Sequence, residues 1–283
     1  MAQIIDGKTI AANVRHTISQ KVAGYKEKPG LAVILVGEDP ASKVYVGLKE
    51  KDSLEIGFYS EVHRLPENAS QNEVLELINS LNENEKIHGL LVQLPLPKHL
   101  NTDVIINTIS PLKDVDGITY FNSGKLFSGR PFFVPCTPKG VMMLIESTGE
   151  KVEGKNAVVI GRSNIVGKPM AMLLMQKNAT VTVCHSKTKN LDQIAVQADI
   201  LVSAIGKYKF VKENMVKKGA IVIDVGTNKD ENGKLKGDVD FDAVKDKASF
   251  ITPVPGGVGP MTRAMLMQNT FEAYIYQKGL QKA

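Results

Sequence analysis

Cysteine is scarce: only Cys136 and Cys184 occur in 283 residues. They stand far apart, match no metal-ligand spacing, and read most simply as reduced thiols of a cytoplasmic protein. The five histidines are scattered without an H-x-x-x-H pair, so the sequence predicts no bound metal. No apolar run approaches the roughly 20 residues that span a bilayer, and no membrane partner is expected. Residues 1–7 lack the basic and apolar regions of a signal peptide. A G-x-S-x-G elbow is missing too, as are internal repeats and low-complexity segments. Nor is there a cluster of one charge. The net +5 is spread along the chain, which suits anionic small molecules and excludes a nucleic-acid arm.

What remains is an ordinary globular composition, 43% hydrophobic and 23% charged, long enough for two domains with cores of their own. Strand and helix patterns alternate throughout. Apolar residues at spacing four predict a first helix from about Gly7 to Ala23, and Leu31–Val36 reads as a strand buried on both faces. Asp39 and Pro40 supply the cap and first position of a helix running to about Glu55. Further strands are expected at 58–64 and 89–94, and helices at 72–84 and 103–109. A connecting region rich in Pro, Gly and Phe spans 110–136. Beyond it, strands are expected at 157–160, 180–184, 200–204, 220–225 and 250–252. A polar hairpin or loop is expected at 228–237, and a closing helix from about Met261 to Gln277. The fold class is therefore α/β: two domains with mostly parallel sheets and a cleft between them. The first comprises 1–136 with the C-terminal segment 261–283, and the second 137–260.

The second domain carries the clearest motif. In Val158–Pro169 an apolar run breaks at Gly161, passes a polar turn, and restarts with helical periodicity, the grammar of a dinucleotide-binding unit. Gly161 permits the tight turn, Gly167 permits close packing, and backbone N–H groups at the helix start suit a pyrophosphate. Ser163 occupies the place of the middle glycine. About 20 residues on, an NAD site wants an acid for the ribose 2′-hydroxyl. Here His185-Ser186-Lys187-Thr188 stands instead. A carboxylate would repel a 2′-phosphate, whereas Arg162, Ser186 and Lys187 would bind one, so the expected cofactor is NADP.

Four features carry potential chemistry elsewhere. Tyr45 and Lys49 share a helix face. Gln93 precedes Pro95-Leu96-Pro97 and so falls at a strand's carboxyl end, where open α/β sheets place ligands. Asp114 and Asp116 share a turn, and three glycines lie between Pro255 and Pro260. Each has a bland reading: Tyr–x₃–Lys pairs are common on solvated helices, a buried amide needs partners anyway, turn acids are frequent, and glycine runs can be linkers.

Taken together and in order, Tyr45-Val46-Gly47-Leu48-Lys49, Leu91–Pro97, Lys113-Asp114-Val115-Asp116-Gly117, Gly161–Pro169 and Pro253–Thr262 resemble the bifunctional methylenetetrahydrofolate dehydrogenase/methenyltetrahydrofolate cyclohydrolase family over essentially the whole length. The resemblance implies oxidation of 5,10-methylenetetrahydrofolate by NADP⁺, then hydrolysis of the methenyl product to 10-formyltetrahydrofolate. It implies Lys49 as the catalytic lysine, Gln93 as its partner, Tyr45 as a folate-stacking ring and Asp116 as the pterin anchor. It also implies a Rossmann-like NADP-binding second domain holding cofactor through Gly161, Arg162, Ser163, Ser186 and Thr227. Pro255, Gly256, Gly257, Val258 and Gly259 would line the folate, and the enzyme would be a homodimer built through that second domain.

Two other readings stay open on sequence alone. A short-chain dehydrogenase also uses Tyr–x₃–Lys with NADP, but carries its glycine turn before that pair; here the order is inverted. A non-catalytic NADP-sensing module would need neither Lys49 nor Gln93.

Overall fold

A computed structural model describes residues 1–280. The chain begins with β1 (Gln3–Ile4), α1 (Gly7–Ala23), β2 (Gly30–Val36), α2 (Pro40–Glu55), β3 (Tyr59–Leu65), α3 (Gln71–Glu83) and β4 (Gly89–Val92). It continues through α4 (Thr102–Thr108), α5 (Tyr120–Phe127), α6 (Cys136–Glu146), β5 (Asn156–Ile160), α7 (Gly167–Gln176) and β6 (Thr180–Cys184). Then follow α8 (Leu191–Ala195), β7 (Ile200–Ser203), β8 (Ile221–Asp224), β9 (Asn228–Lys229), β10 (Leu235–Lys236), α9 (Phe241–Val244), β11 (Phe250–Ile251) and α10 (Val258–Gln277).

Two compact units result. One contains Met1–Ala11 and Thr137–Thr262; the other contains Ala12–Cys136 and Arg263 onward. The first differs from the sequence expectation, which kept residues 1–11 with the Lys49 domain. Gln3 and Ile4 pair in parallel with Phe250 and Ile251, so the N-terminus closes the edge of the other unit's sheet. A strand of two residues has no periodicity to read. At the other end α10 begins at Val258, three residues before the expected Met261, and the division falls inside it. Of the expected 261–283 segment, residues 281–283 lie outside the described residues.

The unit holding Thr137–Thr262 is built on a six-stranded sheet, ordered β1-β11-β8-β7-β5-β6, with every pairing parallel. Val158, Ile160, Leu201 and Val222 form part of its core. The other unit carries the parallel sheet β3-β2-β4. All seven residues of β2 and all four of β4 are buried, which requires cover on both faces and explains their unbroken apolar runs. In a parallel sheet the carboxyl ends share one edge, and there the chain leaves β4 into Gln93 and β5 into Gly161.

One connection gained structure, and another took the hairpin form expected of it. The Pro/Gly/Phe-rich region contains α5, whose N-cap Thr119 accepts the Asn122 N–H at 3.3 Å. The polar segment after β8 is a short antiparallel pair, β9 with β10.

Candidate active site

The helix α2 is begun by Asp39, whose carboxylate accepts the Ser42 N–H at 2.7 Å, with Pro40 in the first turn. The face it buries is Ser42, Val46, Lys49, Asp52 and Ser53. A lysine therefore stands in a core stripe, 9% exposed, where burying a charge is costly unless it is paired or lost. Its Nζ donates to Gln93 Oε1 at 2.8 Å. Gln93 follows β4 directly, its N–H still bonded to Ile34 O at 2.8 Å. The side-chain amide nitrogen donates to Leu94 O at 2.6 Å, which turns the amide oxygen towards Lys49. Tyr45 lies one turn earlier on α2 and is half-buried.

The five residues Lys113–Gly117 divide three ways. Lys113 donates to the carbonyls of Leu81 (3.0 Å) and Asn84 (2.8 Å), closing the C-terminal end of α3. Asp114 is fully buried and accepts the N–H groups of Gly117 (2.9 Å), Ile118 (3.2 Å) and Thr119 (2.9 Å), plus Asn122 Nδ2 (2.8 Å). Gly117, at φ +71°, lets the chain turn around that carboxylate. Asp116 lies within electrostatic reach of the amine: its charge favours the Lys49 ammonium, and the Cys136 thiol hydrogen-bonds to it. Burial holds the Lys49 ammonium below the ordinary lysine range against the pull of Asp116. Burial also pushes the Asp116 carboxyl up, and Lys49 opposes that rise. Burial thus disfavours the charged form of each group, and each group's charge favours the charged form of the other.

A second layer fixes the helix that bears Lys49. Ser53 Oγ donates to Lys49 O at 2.8 Å. Asp52 accepts Arg263 Nη1 at 2.7 Å, and Arg15 Nε lies 3.8 Å from its other oxygen.

In the other unit, β5 runs into Gly161 at φ +128°. A Cβ there would stand 2.3 Å from Ala204 O, and one at Gly167 would stand 2.2 Å from Gly161 O. Both positions therefore need glycine for close passage of chain on chain. Ser163 Oγ accepts the N–H groups of Val166 (3.2 Å) and Gly167 (3.3 Å), so the residue in the middle-glycine place holds the turn that leads into α7. Beyond the carboxyl ends of β5, β6 and β7 lies a cavity of about 480 Å³. Arg162, His185, Ser186, Thr188 and Lys207 give its polar lining, Leu191, Ile205 and Phe210 its larger apolar one, and no carboxylate lines it. Gly161, Arg162 and Ser186 thus meet in one cavity. Ser163 and Lys187 are not in its lining, and neither is Thr227, which is exposed beyond β8.

The glycine run packs against its own unit. A Cβ on Gly257 would fall 2.6 Å from Pro253 O, and one on Gly7 would fall 2.0 Å from Gly257 O. Gly256 turns at φ +110°. Pro255 is exposed, Gly257 and Val258 are buried, and Val258 and Gly259 already belong to α10. Close approach is real at 257, and the approaching group is backbone.

Residues 5–116 match the tetrahydrofolate dehydrogenase/cyclohydrolase catalytic domain, and residues 135–278 match the NAD(P)-binding domain of the same family. The chain belongs to the tetrahydrofolate dehydrogenase/cyclohydrolase family. A relative named "Bifunctional protein FolD" from Streptococcus gordonii is 57% identical over 97% of this chain and 98% of its own length. Among solved structures, the bifunctional enzyme FolD-methylenetetrahydrofolate dehydrogenase/cyclohydrolase of Campylobacter jejuni is 48% identical with a TM-score of 0.95, covering 98% of this chain and 100% of that one. The Trypanosoma brucei methylenetetrahydrofolate dehydrogenase-cyclohydrolase, complexed with NADP cofactor and inhibitor, is 39% identical with a TM-score of 0.94, covering 99% of each chain.

Tyr45, Lys49, Gln93 and Asp116 fall in the family's catalytic domain, and Gly161, Arg162, Ser163, Ser186 and Thr227 in its NAD(P)-binding domain. Sequence reasoning missed four residues. Cys136 looked like a plain thiol because it lies twenty residues from Asp116 and no spacing links them. Asp52 had a signal, since it shares the buried face of α2 with Lys49. Arg263 and Lys207 carried none.

Proposed function

We propose that this protein oxidises 5,10-methylenetetrahydrofolate to 5,10-methenyltetrahydrofolate with NADP⁺ and then hydrolyses the product to 10-formyltetrahydrofolate. The observation that carries the reading is a buried lysine amine, held below its usual pKa and hydrogen-bonded at 2.8 Å to an amide whose other end is fixed. A short-chain dehydrogenase keeps its Tyr–x₃–Lys pair in the dinucleotide unit, whereas Tyr45 and Lys49 belong to the unit without the glycine turn. A mere NADP sensor has no use for a charge buried at the end of a three-stranded sheet.

The residues suit the ligands. The cavity beyond β5–β7 has cations, hydroxyls and no carboxylate, which fits the phosphorylated end of NADP, with Arg162 and Ser186 holding the 2′-phosphate. When bound, NADP⁺ supplies the hydride acceptor. Loss of hydride leaves an amidinium carbon between N5 and N10 of the folate. Lys49 in its neutral form accepts a proton from the water that bonds to this carbon. As the carbon–N5 bond breaks, the Lys49 ammonium returns that proton to N5, and the water's second proton, left on the carbon's hydroxyl, passes to solvent as the formyl carbonyl forms on N10. A cationic substrate beside the amine favours the neutral form that this requires. Gln93 keeps the amine aimed. Asp116 accepts two hydrogen bonds from the pterin N–H and amino groups, and Tyr45 offers its ring face to the aminobenzoyl group. Thr227 and the Pro255–Gly259 run remain candidates for nicotinamide and folate contact. Cys136 and Cys184 are buried thiols outside any disulfide, which supports a reducing, cytoplasmic setting, and by resemblance the working form is a homodimer.

The test is absorbance of methenyltetrahydrofolate formed from methylenetetrahydrofolate by the purified protein, with NADP⁺ and with NAD⁺. Product with NADP⁺, followed by its decay to 10-formyltetrahydrofolate faster than in buffer, is expected. No NADP⁺-dependent product would remove the proposal.

A further inference from the structure

We propose that Lys207 is a second phosphate-reading cation of the dinucleotide cavity, acting beside Arg162. The inference rests on the NADP reading above and extends it to a residue outside the glycine turn and the Ser186 segment.

Three observations support it. Lys207 lies in the loop after β7 and lines the same cavity as Arg162 and Ser186. Because β5 sits between β6 and β7, Arg162 is flanked by Ser186 on one side and Lys207 on the other. The loop is also fixed rather than loose: Asp238, fully buried, accepts the N–H groups of Ile205 (2.8 Å), Gly206 (3.3 Å) and Lys207 (2.8 Å), and the Ser203 hydroxyl at 3.1 Å. Finally, neighbouring lysines are neutralised and Lys207 is not. Lys209 and Lys212 pair with Asp240 at 3.1 and 3.3 Å, and Lys217 with Asp199 at 2.6 Å. Among the described residues, the Lys207 ammonium meets no carboxylate; its contact is the Phe210 ring, 5.8 Å to the centroid. Two cations in a cavity without acid create a field that only an anion relieves, and phosphate is the anion a dinucleotide brings. That phosphate is either the 2′-phosphate or the pyrophosphate.

The experiment is calorimetric titration of the whole protein and its Lys207→Gln variant with NADP⁺ and with NAD⁺, at low and high salt. The melting temperature serves as the check that the variant is folded. NADP⁺ binding should weaken about fivefold or more at low salt, by less at high salt, and recover in Lys207→Arg. If NAD⁺ binding is unchanged, Lys207 reads the 2′-phosphate; if NAD⁺ weakens equally, it reads the pyrophosphate. Wild-type-like binding of both dinucleotides by a folded Lys207→Gln would overturn the proposal. Failure of the parent protein to bind NADP⁺ would instead refute the cofactor reading itself.

Discussion

At the residue scale, two aspartates two positions apart have opposite employments. Asp114 satisfies three backbone N–H groups and an asparagine amide, whereas Asp116 interacts electrostatically with a lysine. Residue chemistry showed both only as loop acids, and the family resemblance alone singled out Asp116, because the division depends on how the chain turns at Gly117. Substitution separates them. Asp114→Asn replaces one acceptor oxygen by a donor among donors, and should lower the unfolding free energy by about 2–3 kcal/mol, measured by urea denaturation. Asp116→Asn removes a carboxyl that burial already disfavours. It should leave the denaturation midpoint close to the parent's while weakening folate binding. Equal loss of stability in both variants would contradict the division. Gln93, by contrast, was legible: an amide at the end of an apolar strand, followed by prolines, has little to do except meet another polar group.

At the element scale, periodicity and caps located most of the α/β alternation, since long strands such as β2 and helices such as α2 carry strong patterns. What escaped was short or held by distant partners. β1 exists because β11 offers it an edge. α5 lies in a segment rich in helix breakers and is anchored by Asn122, fully buried and bonded to Pro111 O at 3.1 Å and Asp114 at 2.8 Å. The glycine run is a place of close approach, and the partner is the start of α1. Gly7→Ala tests that packing: its Cβ would lie 2.0 Å from a backbone oxygen, which has no flexible end to move. Destabilisation of about 1–3 kcal/mol or more is expected in denaturant titrations. An unchanged midpoint would mean that this contact is loose.

At the scale of the whole molecule, one buried titrating group in each unit should respond to acid with opposite sign. In the Lys49 unit, His88 is buried, accepts the Gly30 N–H at 3.0 Å through Nδ1, and packs edge-on against Tyr274. Burial lowers its pKa from 6.5 to about 4. The unfolded chain thus takes up a proton that the native ring refuses. Stability is whole above pH 6.5 and falls as pH drops towards 4, by about 3 kcal/mol in all. In the other unit, Asp224 is buried and its pKa is raised to about 6, desolvation outweighing hydrogen bonds from Gly226, Asp238 and Val239. There the native state keeps a proton that the unfolded state releases, so that contribution is fully present below pH 3.8 and is lost as pH rises through 6. Hydrogen exchange at pH 7 and pH 5, resolved by unit, should show β2 and β4 losing protection relative to β7 and β8. In His88→Asn, which keeps an acceptor for Gly30 but does not titrate, that difference should shrink. Parallel behaviour of the two units would contradict the assignment.

The central claim is that the Lys49 amine carries the proton of the hydrolytic step. Its most direct test is the rate at which Lys49→Met hydrolyses supplied 5,10-methenyltetrahydrofolate, with NADPH formation and melting temperature measured on the same preparation. Replacing a buried ammonium by an apolar chain of similar length should not lower the melting temperature appreciably. Hydrolysis should fall by a factor of about 100 or more, and NADPH formation by much less. Hydrolysis at the parent's rate by a folded Lys49→Met would contradict the claim.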